Sequence, residues 1–229
     1  MEKLSSQIED YLKTIYLLQQ RSGGASTNAI AGALSVKPAS VTGMLKKLTE
    51  MKLARHAPYQ GVTLTKAGEK IALEVIRHHR LIELFLIESL GYSWDEVHVE
   101  ADRLEHVISE DFEERVAARL GYPDIDPHGD PIPAKDGSVV AIEQRCLRDL
   151  EHGESAQIAR ITDTNPDMLR YAAGLGLRPQ ARITLIDSEP FGGSLRVRVG
   201  KTDHTIGREL AANIFVAAEA SHPSMRRSL

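Results

Sequence analysis

Cysteine and long hydrophobic runs are what this sequence most clearly lacks. Cys146 is the single cysteine among 229 residues, which excludes an intramolecular disulfide framework and a thiolate-rich structural zinc cluster. No segment approaches the roughly 20 apolar residues that a membrane-spanning helix needs, and Met1 is followed by Glu2 and Lys3 rather than by a secretory signal. We therefore expect a cytoplasmic protein whose metal ligands, if it has any, are nitrogen and oxygen atoms.

Acidic and basic residues are distributed unevenly along the chain. The formal net charge is −4, yet residues 1–70 carry ten Lys and Arg against five Asp and Glu, residues 71–150 carry eight against eighteen, and residues 151–229 carry ten against nine. A basic first third favours a polyanionic partner, and an acidic middle third favours bound cations. The length and composition are those of a globular chain with two or three small domains.

The basic first third has the pattern of a helix-turn-helix. Capping residues and apolar spacing predict one helix from residue 5 or 6 to about 21, a second from residue 26 or 27, and a third over 38–51. The segment 54–65 is predicted to form two short strands, which would make a wing. The alternative is a small helical domain that binds no DNA.

The outward face of the third helix carries small, hydroxylated and basic side chains, which suit base edges, thymine methyl groups and phosphates of a DNA major groove. Arg55 and Tyr59 of the wing would lie near the DNA backbone. The candidate DNA-contacting residues are therefore Lys37, Ala39, Ser40, Thr42, Gly43, Lys46, Lys47, Arg55 and Tyr59.

Two long helices are predicted in the acidic middle third. The first begins at residue 65 or 66 and ends at Gly91, and the second follows a Ser93 to Glu96 capping box and ends at Gly121. The first of these helices is apolar over more than one face. Because one packing contact does not need so much apolar surface, a dimer interface is the simplest use for it.

Histidines and carboxylates in this third have the spacing of a divalent-metal site. Asp102, Glu105 and His106 follow one another at i, i+3 and i+4, so on a helix they share one side with His98. His79 and Glu83, one turn apart on the preceding helix, could form the opposite wall. The alternative is a solvated acidic helix face that binds no metal.

These residues, with YSWDEVH over 92–98, LEH over 104–106 and DPHGDPIP over 126–133, make the chain resemble the diphtheria-toxin-repressor family of metal-dependent transcriptional regulators. The resemblance covers essentially the whole chain, with its elements in the family's order. It implies a homodimeric repressor in which bound metal sets the separation of two DNA-binding domains for a palindromic operator.

The resemblance also implies two metal sites. The primary site would consist of Asp10, His79, Asp102, Glu105 and His106. The secondary site would consist of Glu83, Asp126, His128 and Asp163, and His98 could belong to either site. From the residues alone, Asp10 is better explained as an exposed carboxylate at a helix start, and the alternative for Asp126 with His128 is a turn.

Two positions bear on which metal is bound. Iron-responsive members of the family use a methionine from the first helix and a cysteine, where this chain has Asp10 and Asp102. Carboxylate oxygens with imidazole suit Mn²⁺ better than sites with sulfur ligands. Some manganese-responsive members add a glutamate three residues after the first aspartate. This chain has Lys13 there, which argues against a two-manganese cluster of that type.

The expected fold class is α+β, with a winged helix-turn-helix domain over 1–72, a helical metal-binding and dimerisation domain over 73–135, a linker over 136–150 and a C-terminal domain over 151–229. In the last domain, strand-like runs at 156–161, 181–186, 195–199 and 214–217 surround a helix near 166–175. Short strands around one helix suggest a small barrel, and the resemblance implies an SH3-like, FeoA-like module. The tail over 221–229 is expected to be frayed.

The sequence thus predicts a manganese-dependent repressor of metal-ion homeostasis or transport genes, with Fe²⁺ as a competing ion. Its expected partners are double-stranded DNA and a second copy of itself, without a membrane or a small-molecule substrate. The alternatives are an iron-responsive regulator of the same family, a winged-helix regulator gated by a small molecule, and a metallohydrolase. No motif offers a nucleophile or a phosphate-binding glycine loop, so we expect no enzyme activity.

Overall fold

The structure is a computed structural model that describes residues 4–57, 61–140, 143–162 and 165–217. The chain forms two compact units. The first, unit 1, consists of Met1–Phe85, Val99–Asp124 and Ile132–Val140. The second, unit 2, consists of Leu86–His98, Ile125–Pro131 and Ala141–Leu229. Within the described ranges, no helix combines the length and the apolar character needed to cross a lipid bilayer.

Unit 1 begins with the predicted winged helix-turn-helix. Its helices are α1 (Ser6–Ser22), α2 (Thr27–Ala33) and α3 (Pro38–Glu50), and its wing is an antiparallel pair of strands, β1 (Ala54–Ala57) and β2 (Gly61–Leu64). The order and the approximate bounds of these elements agree with those predicted from capping and periodicity.

Local sequence explains the ends of these helices. The Ser26 hydroxyl accepts a hydrogen bond from the Ala29 amide and so caps α2. Gly23 ends α1 in the left-handed conformation, with φ of 75°, which a glycine adopts without strain. The stripe predicted for α1 is buried, since Ile8, Leu12 and Ile15 are each at most 4% exposed.

Helices α4 (Lys66–Leu90), α5 (Val97–Leu104) and α6 (Glu110–Arg119) follow. The sequence predicted one continuous helix from Ser93 to Gly121, and that prediction is wrong because the helix is interrupted between α5 and α6. The Val107 amide bonds to the Leu104 carbonyl in a tighter turn, and the Ser109 hydroxyl accepts the Phe112 amide to start a new helix.

The helical part of unit 1 has its own small core, in which Leu81 of α4 packs with Val116 and Ala117 of α6 and with Ile132. An ion-pair network of Arg77, His78 and Glu113 also connects α4 to α6. The Glu113 carboxylate accepts a hydrogen bond from Arg77, and its second oxygen lies 3.3 Å from His78 Nε2. Arg77 also donates to the Pro133 carbonyl at 2.8 Å.

Unit 2 is built on a six-stranded antiparallel sheet in the order β3-β8-β4-β5-β6-β7. Its strands are β3 (Arg145–Cys146), β4 (Ser155–Ile161), β5 (Arg182–Ser188), β6 (Leu195–Val199), β7 (Thr202–Ile206) and β8 (Ile214–Ala217), with helices α7 (Pro166–Gly174) and α8 (Arg208–Ala212) between them. The core lies among the sheet and these helices, and it includes Leu169, Ile183 and Val197.

Four predicted strands and one predicted helix of this unit are present, but the sequence missed β7 and α8. The stretch over 136–150, expected to be a linker, contains β3 and a 3-10 turn at Leu147–Asp149 whose Leu147 side chain is fully buried in the core of unit 2. The tail over 221–229 lies outside the described residues.

Candidate metal centre

The centre lies in unit 1, where α1 meets the residues that end α5. Asp10 lies in the second turn of α1, and its Oδ1 is 2.8 Å from His106 Nε2. Glu9, the preceding residue, places Oε2 2.7 Å from the other ring nitrogen of His106. A carboxylate oxygen of Glu105 lies 3.3 Å from His106 Nε2. Asp10, Glu105 and His106 therefore form one compact group of oxygen and nitrogen donors.

A second group lies directly beside the first and shares Glu105 with it. His79 of α4 hydrogen-bonds Glu105 through Nδ1 and lies 3.3 Å from Asp102 Oδ1. Its other nitrogen, Nε2, is 3.1 Å from Glu83 Oε1. In each group of three, Asp10 with Glu105 and His106, and His79 with Asp102 and Glu105, one ligand atom per residue lies within 4.8 Å of the others.

Lys13 reaches the second group from α1. Its Nζ donates to Asp102 Oδ1 at 3.1 Å and to the two Glu105 oxygens at 2.7 and 3.0 Å, and it lies 3.1 Å from His79 Nδ1. The ammonium is a cation held by the same atoms that a metal ion would use.

The groups of this centre are buried, so the charges around each group have a strong effect on its pKa. Glu105 is only 2% exposed and His79 only 5%. Burial alone would raise the pKa of Glu105, but its hydrogen bond to His79 and the Lys13 ammonium outweigh burial and lower that pKa. Burial and the Lys13 charge would lower the pKa of His79, but the carboxylates of Glu83 and Glu105 raise it to about 9. Burial raises the pKa of half-buried Asp10.

The donor set fits a hard divalent cation. Carboxylate oxygens and imidazole nitrogens converge without a sulfur donor, and the position of the Lys13 ammonium shows that the cluster stabilises a positive charge. The residues that would hold the ion are among the five that the sequence singled out for the primary site, and the structure brings all five together.

Sequence reasoning missed two features of this centre. Glu9 was not a candidate, although a carboxylate next to Asp10 was a usable signal. Lys13 was noted only as a departure from the family pattern, and its bonds to Asp102 and Glu105 could not be foreseen. Its spacing places it one turn after Asp10 on α1, but the partner residues come from a distant part of the chain.

The residues proposed for a secondary site belong to both units. Glu83 is buried in unit 1 beside His79, whereas His98, Asp126 and His128 belong to unit 2. Asp163 lies outside the described residues.

Within unit 2, Asp126 stabilises a turn. Its Oδ1 accepts the amides of His128 and Asp130 at 2.8 Å each, which is the turn arrangement that the sequence left open as an alternative. The His128 ring packs against Trp94 with 4.9 Å between ring centroids. Gly129 has φ of 90°, and a Cβ there would meet the Ala159 carbonyl oxygen at 2.0 Å, so the loop lies tight against β4.

The candidate DNA-contacting residues lie on the exposed side of the winged helix-turn-helix. The exposed set comprises Lys37, Ala39, Ser40, Thr42, Gly43, Lys46, Lys47 and Arg55. The Thr42 hydroxyl donates to the Pro38 carbonyl at 3.1 Å, so its oxygen can serve only as an acceptor while this bond is kept. Tyr59 lies outside the described residues.

Comparison with known proteins identifies the family of this chain. Residues 3–62 match the description "Iron dependent repressor, N-terminal DNA binding domain", residues 65–134 match "Iron dependent repressor, metal binding and dimerisation domain", and residues 145–218 match "FeoA domain". The iron-dependent repressor IdeR of Mycobacterium tuberculosis is 32% identical over 239 residues, which cover 94% of this chain and 99% of that protein. The chain belongs to the diphtheria-toxin-repressor family of metal-dependent transcriptional regulators.

Members named for different metals are similar to this chain. The regulator MntR of Geobacillus kaustophilus is 35% identical over 115 residues, covering 50% of this chain and 81% of that protein. A solved structure described as a manganese-dependent transcriptional repressor in complex with manganese superposes with a TM-score of 0.86 at 38% identity, covering 92% of this chain and 99% of that one. The α+β fold class and its three predicted components, a winged helix-turn-helix, a helical dimerisation domain and an SH3-like domain, are confirmed.

Proposed function

We propose that this protein is a manganese-dependent repressor that binds a palindromic operator as a homodimer and controls genes of metal-ion homeostasis or transport in the cytoplasm. The observation that carries the proposal is the pairing of Asp10 with His106 at 2.8 Å. Asp10 belongs to α1 of the DNA-binding domain, and His106 belongs to the segment that follows α5. An ion held by both residues would fix the DNA-binding domain against the segment that follows α5.

The chain's own residues would perform this coupling through charge and position. Glu105 lies between His79 and His106 and is almost fully buried, so its carboxylate faces the centre in one orientation. Asp10 is half-buried, and its pKa is raised mainly by burial. A divalent ion would supply the positive charge that favours ionised Asp10 beside Glu105. The DNA-binding helices would then be held in one arrangement for the operator.

Manganese is the metal that this donor set favours. Oxygen and imidazole donors suit Mn²⁺, whereas sulfur donors would shift preference toward softer ions, and Asp10 and Asp102 provide oxygen. The similar structure that contains manganese agrees with this assignment. Similarity to IdeR keeps an iron-responsive regulator as the second candidate.

Self-association is supported by apolar side chains that unit 1 exposes around its metal-binding helices. Val99, Val107, Phe112 and Tyr122 are 43 to 66% exposed. Contiguous exposed apolar patches mark protein interfaces, and a dimer interface on this side of unit 1 would bury these four side chains. A two-fold dimer would present two copies of α3, which matches two half-sites of a palindrome.

Operator binding against a series of divalent metals tests the proposal. Duplexes that bind the Mn²⁺-loaded protein would be selected from a random pool, and gel shifts under reducing, oxygen-free conditions would compare Mn²⁺, Fe²⁺, Co²⁺, Zn²⁺ and Mg²⁺. We expect metal-dependent binding to a palindromic consensus, strongest with Mn²⁺. Stronger activation by Fe²⁺ would favour the iron-responsive candidate, and binding that persists with a chelator would contradict metal control.

A further inference from the structure

The Lys13 side chain is unusual because its charged end is buried in the candidate metal centre. Only 14% of the side chain is exposed, and burial of an ammonium is unfavourable unless carboxylates pair with it. Asp102 and Glu105 provide that pairing, at 3.1 and 2.7 Å. The pairing is maintained across the fold, since Lys13 is 89 residues away from Asp102 in the sequence.

We propose that the Lys13 ammonium is a tethered cation that occupies one of two adjacent cation positions in this centre. The first position is formed by Asp10, Glu105 and His106, and the second by His79, Asp102 and Glu105. The centre therefore takes one divalent ion, at the first position. This inference rests on the proposed function, because it concerns the metal that controls the repressor.

Steric exclusion is the first step of the argument. The ligand atoms of His79, Asp102 and Glu105 lie within 4.8 Å of one another, and Lys13 Nζ is within 3.1 Å of an atom from each of them. A metal ion bound by these three residues would need the volume that Nζ fills. The ammonium and a second ion cannot be present together.

Division of the ligands is the second step. Lys13 hydrogen-bonds to residues of the second position, whereas the two nitrogens of His106 face Glu9 and Asp10 at 2.7 and 2.8 Å. Glu105 alone belongs to both groups: Lys13 Nζ contacts both of its oxygens, at 2.7 and 3.0 Å, and one of them, Oε1, also lies 3.3 Å from His106 Nε2. The other two ligands of the first position, Asp10 and His106, pair with each other instead.

Charge balance is the third step. The two positions use the carboxylates of Asp10, Asp102 and Glu105 as ligands, with Glu9 and Glu83 beside their histidines, and one divalent ion would neutralise two of these charges. The Lys13 ammonium, paired with Asp102 and Glu105, neutralises a further one without a second ion. Removal of the lysine charge leaves Asp102 and Glu105 facing an open volume, which favours a second cation there.

Metal stoichiometry in the full-length protein tests the proposal with Mn²⁺ as the probe. We would replace Lys13 with Met, which keeps the chain length and removes the charge, and separately with Gln, whose amide can hydrogen-bond Asp102. Lys13→Arg is the matched control because it retains a cation. Bound manganese would be counted by elemental analysis after gel filtration, and electron paramagnetic resonance would report whether two ions are spin-coupled.

We expect the wild-type protein and Lys13→Arg to show no spin-coupled pair, and Lys13→Met or Lys13→Gln to bind one more Mn²⁺ per protomer with a coupled spectrum. The additional ion should be lost when Asp102→Ala is combined with either variant. A coupled pair in the wild type that Asp102→Ala abolishes would overturn the proposal, as would an unchanged count in both folded neutral variants. Because these readouts need no DNA, they are independent of operator binding.

Discussion

Hard oxygen donors at two positions carry the assignment of the metal. Asp10 and Asp102 are side chains of different helices, and both lie in the cluster around Glu105. Each stands where the resemblance implies a sulfur donor in iron-responsive relatives. Ligand softness is a property of the individual side chain, so the preference can be changed by substitution with little change in fold.

The double variant Asp10→Met with Asp102→Cys should reduce the preference for Mn²⁺ over Fe²⁺ and Co²⁺, because it places thioether and thiolate sulfur in the cluster, and these donors favour the later metals. Operator gel shifts across the metal series, under reducing conditions, would measure the ranking. The single variant Lys201→Ala, on an exposed residue of unit 2, serves as a control. An unchanged ranking in the double variant would show that selectivity has another origin.

Glu113 contributes to stability through buried ion pairs. The side chain is 2% exposed and is paired with Arg77 and His78. Burial alone would raise the pKa of Glu113, but hydrogen bonds from His78 and Arg77 lower it from the usual 4.5 to about 2. The lowered pKa means that the ionised carboxylate stabilises the folded protein above pH 4.5, and that this contribution is lost as the pH falls toward 2.

Glu113→Gln should therefore lower the free energy of unfolding by about 3 kcal/mol at neutral pH, since a shift of one pKa unit corresponds to about 1.4 kcal/mol. Urea unfolding at several pH values would show the difference from wild type shrinking as the pH approaches 2. Glu114→Gln, on the neighbouring exposed residue, should change stability little. A difference for Glu113→Gln that stays constant from neutral to acid pH would contradict the ion-pair explanation.

At the scale of elements, α3 and the wing are the elements that we propose contact DNA, and Lys46 and Lys47 are exposed on α3. Replacing both with Ala should reduce the slope of log binding constant against log salt concentration by about 2, or about one per lost phosphate contact. Fluorescence anisotropy with the selected operator at several salt concentrations would measure the slope. Lys201→Ala should leave the slope unchanged, and an unchanged slope in the double variant would place α3 away from phosphates.

Elements with strong local signals were predictable, and elements that depend on tertiary partners were not. Helices α1, α2 and α3 are defined locally by apolar stripes and by end signals, which are Gly23 after α1, the Ser26 cap of α2 and Pro38 at the start of α3. Strand β7 has the sequence TDHTI, with a single buried residue, Ile206, so its alternation is not apparent until it pairs with β6. The break between α5 and α6 depends on the Ser109 cap. The apolar pattern of the sequence continues across this position and therefore predicted an unbroken helix.

The candidate metal centre shows the same limit. The spacing of Asp102, Glu105 and His106 indicated a metal site from the sequence alone. The structure keeps these residues on one side, because the chain stays helical just beyond α5, where the Glu105 amide bonds to the Ala101 carbonyl at 2.9 Å. Asp10 came only from the family resemblance, since it lies off the apolar stripe of α1. The role of Lys13 required the tertiary structure, because its partners His79, Asp102 and Glu105 lie 66 to 92 residues away in the sequence.

At the scale of the whole molecule, metal binding and DNA binding are expected to be coupled. The ion would link α1, which belongs to the DNA-binding domain, to Glu105 and His106 of the helical domain. Lys13 already joins these two parts through Asp102 and Glu105, so the ion would add a second link between them. Linkage requires that operator DNA tighten Mn²⁺ binding by the same factor by which Mn²⁺ tightens DNA binding.

The most direct test is the Mn²⁺ affinity of the full-length protein, measured by calorimetry with and without saturating operator. We predict tighter Mn²⁺ binding in the presence of operator, by about 5- to 150-fold, which corresponds to coupling free energies of about 1–3 kcal/mol. His106→Ala should lose this enhancement, and a non-operator duplex of equal length should produce a smaller one. Equal Mn²⁺ affinities with and without operator would contradict the account.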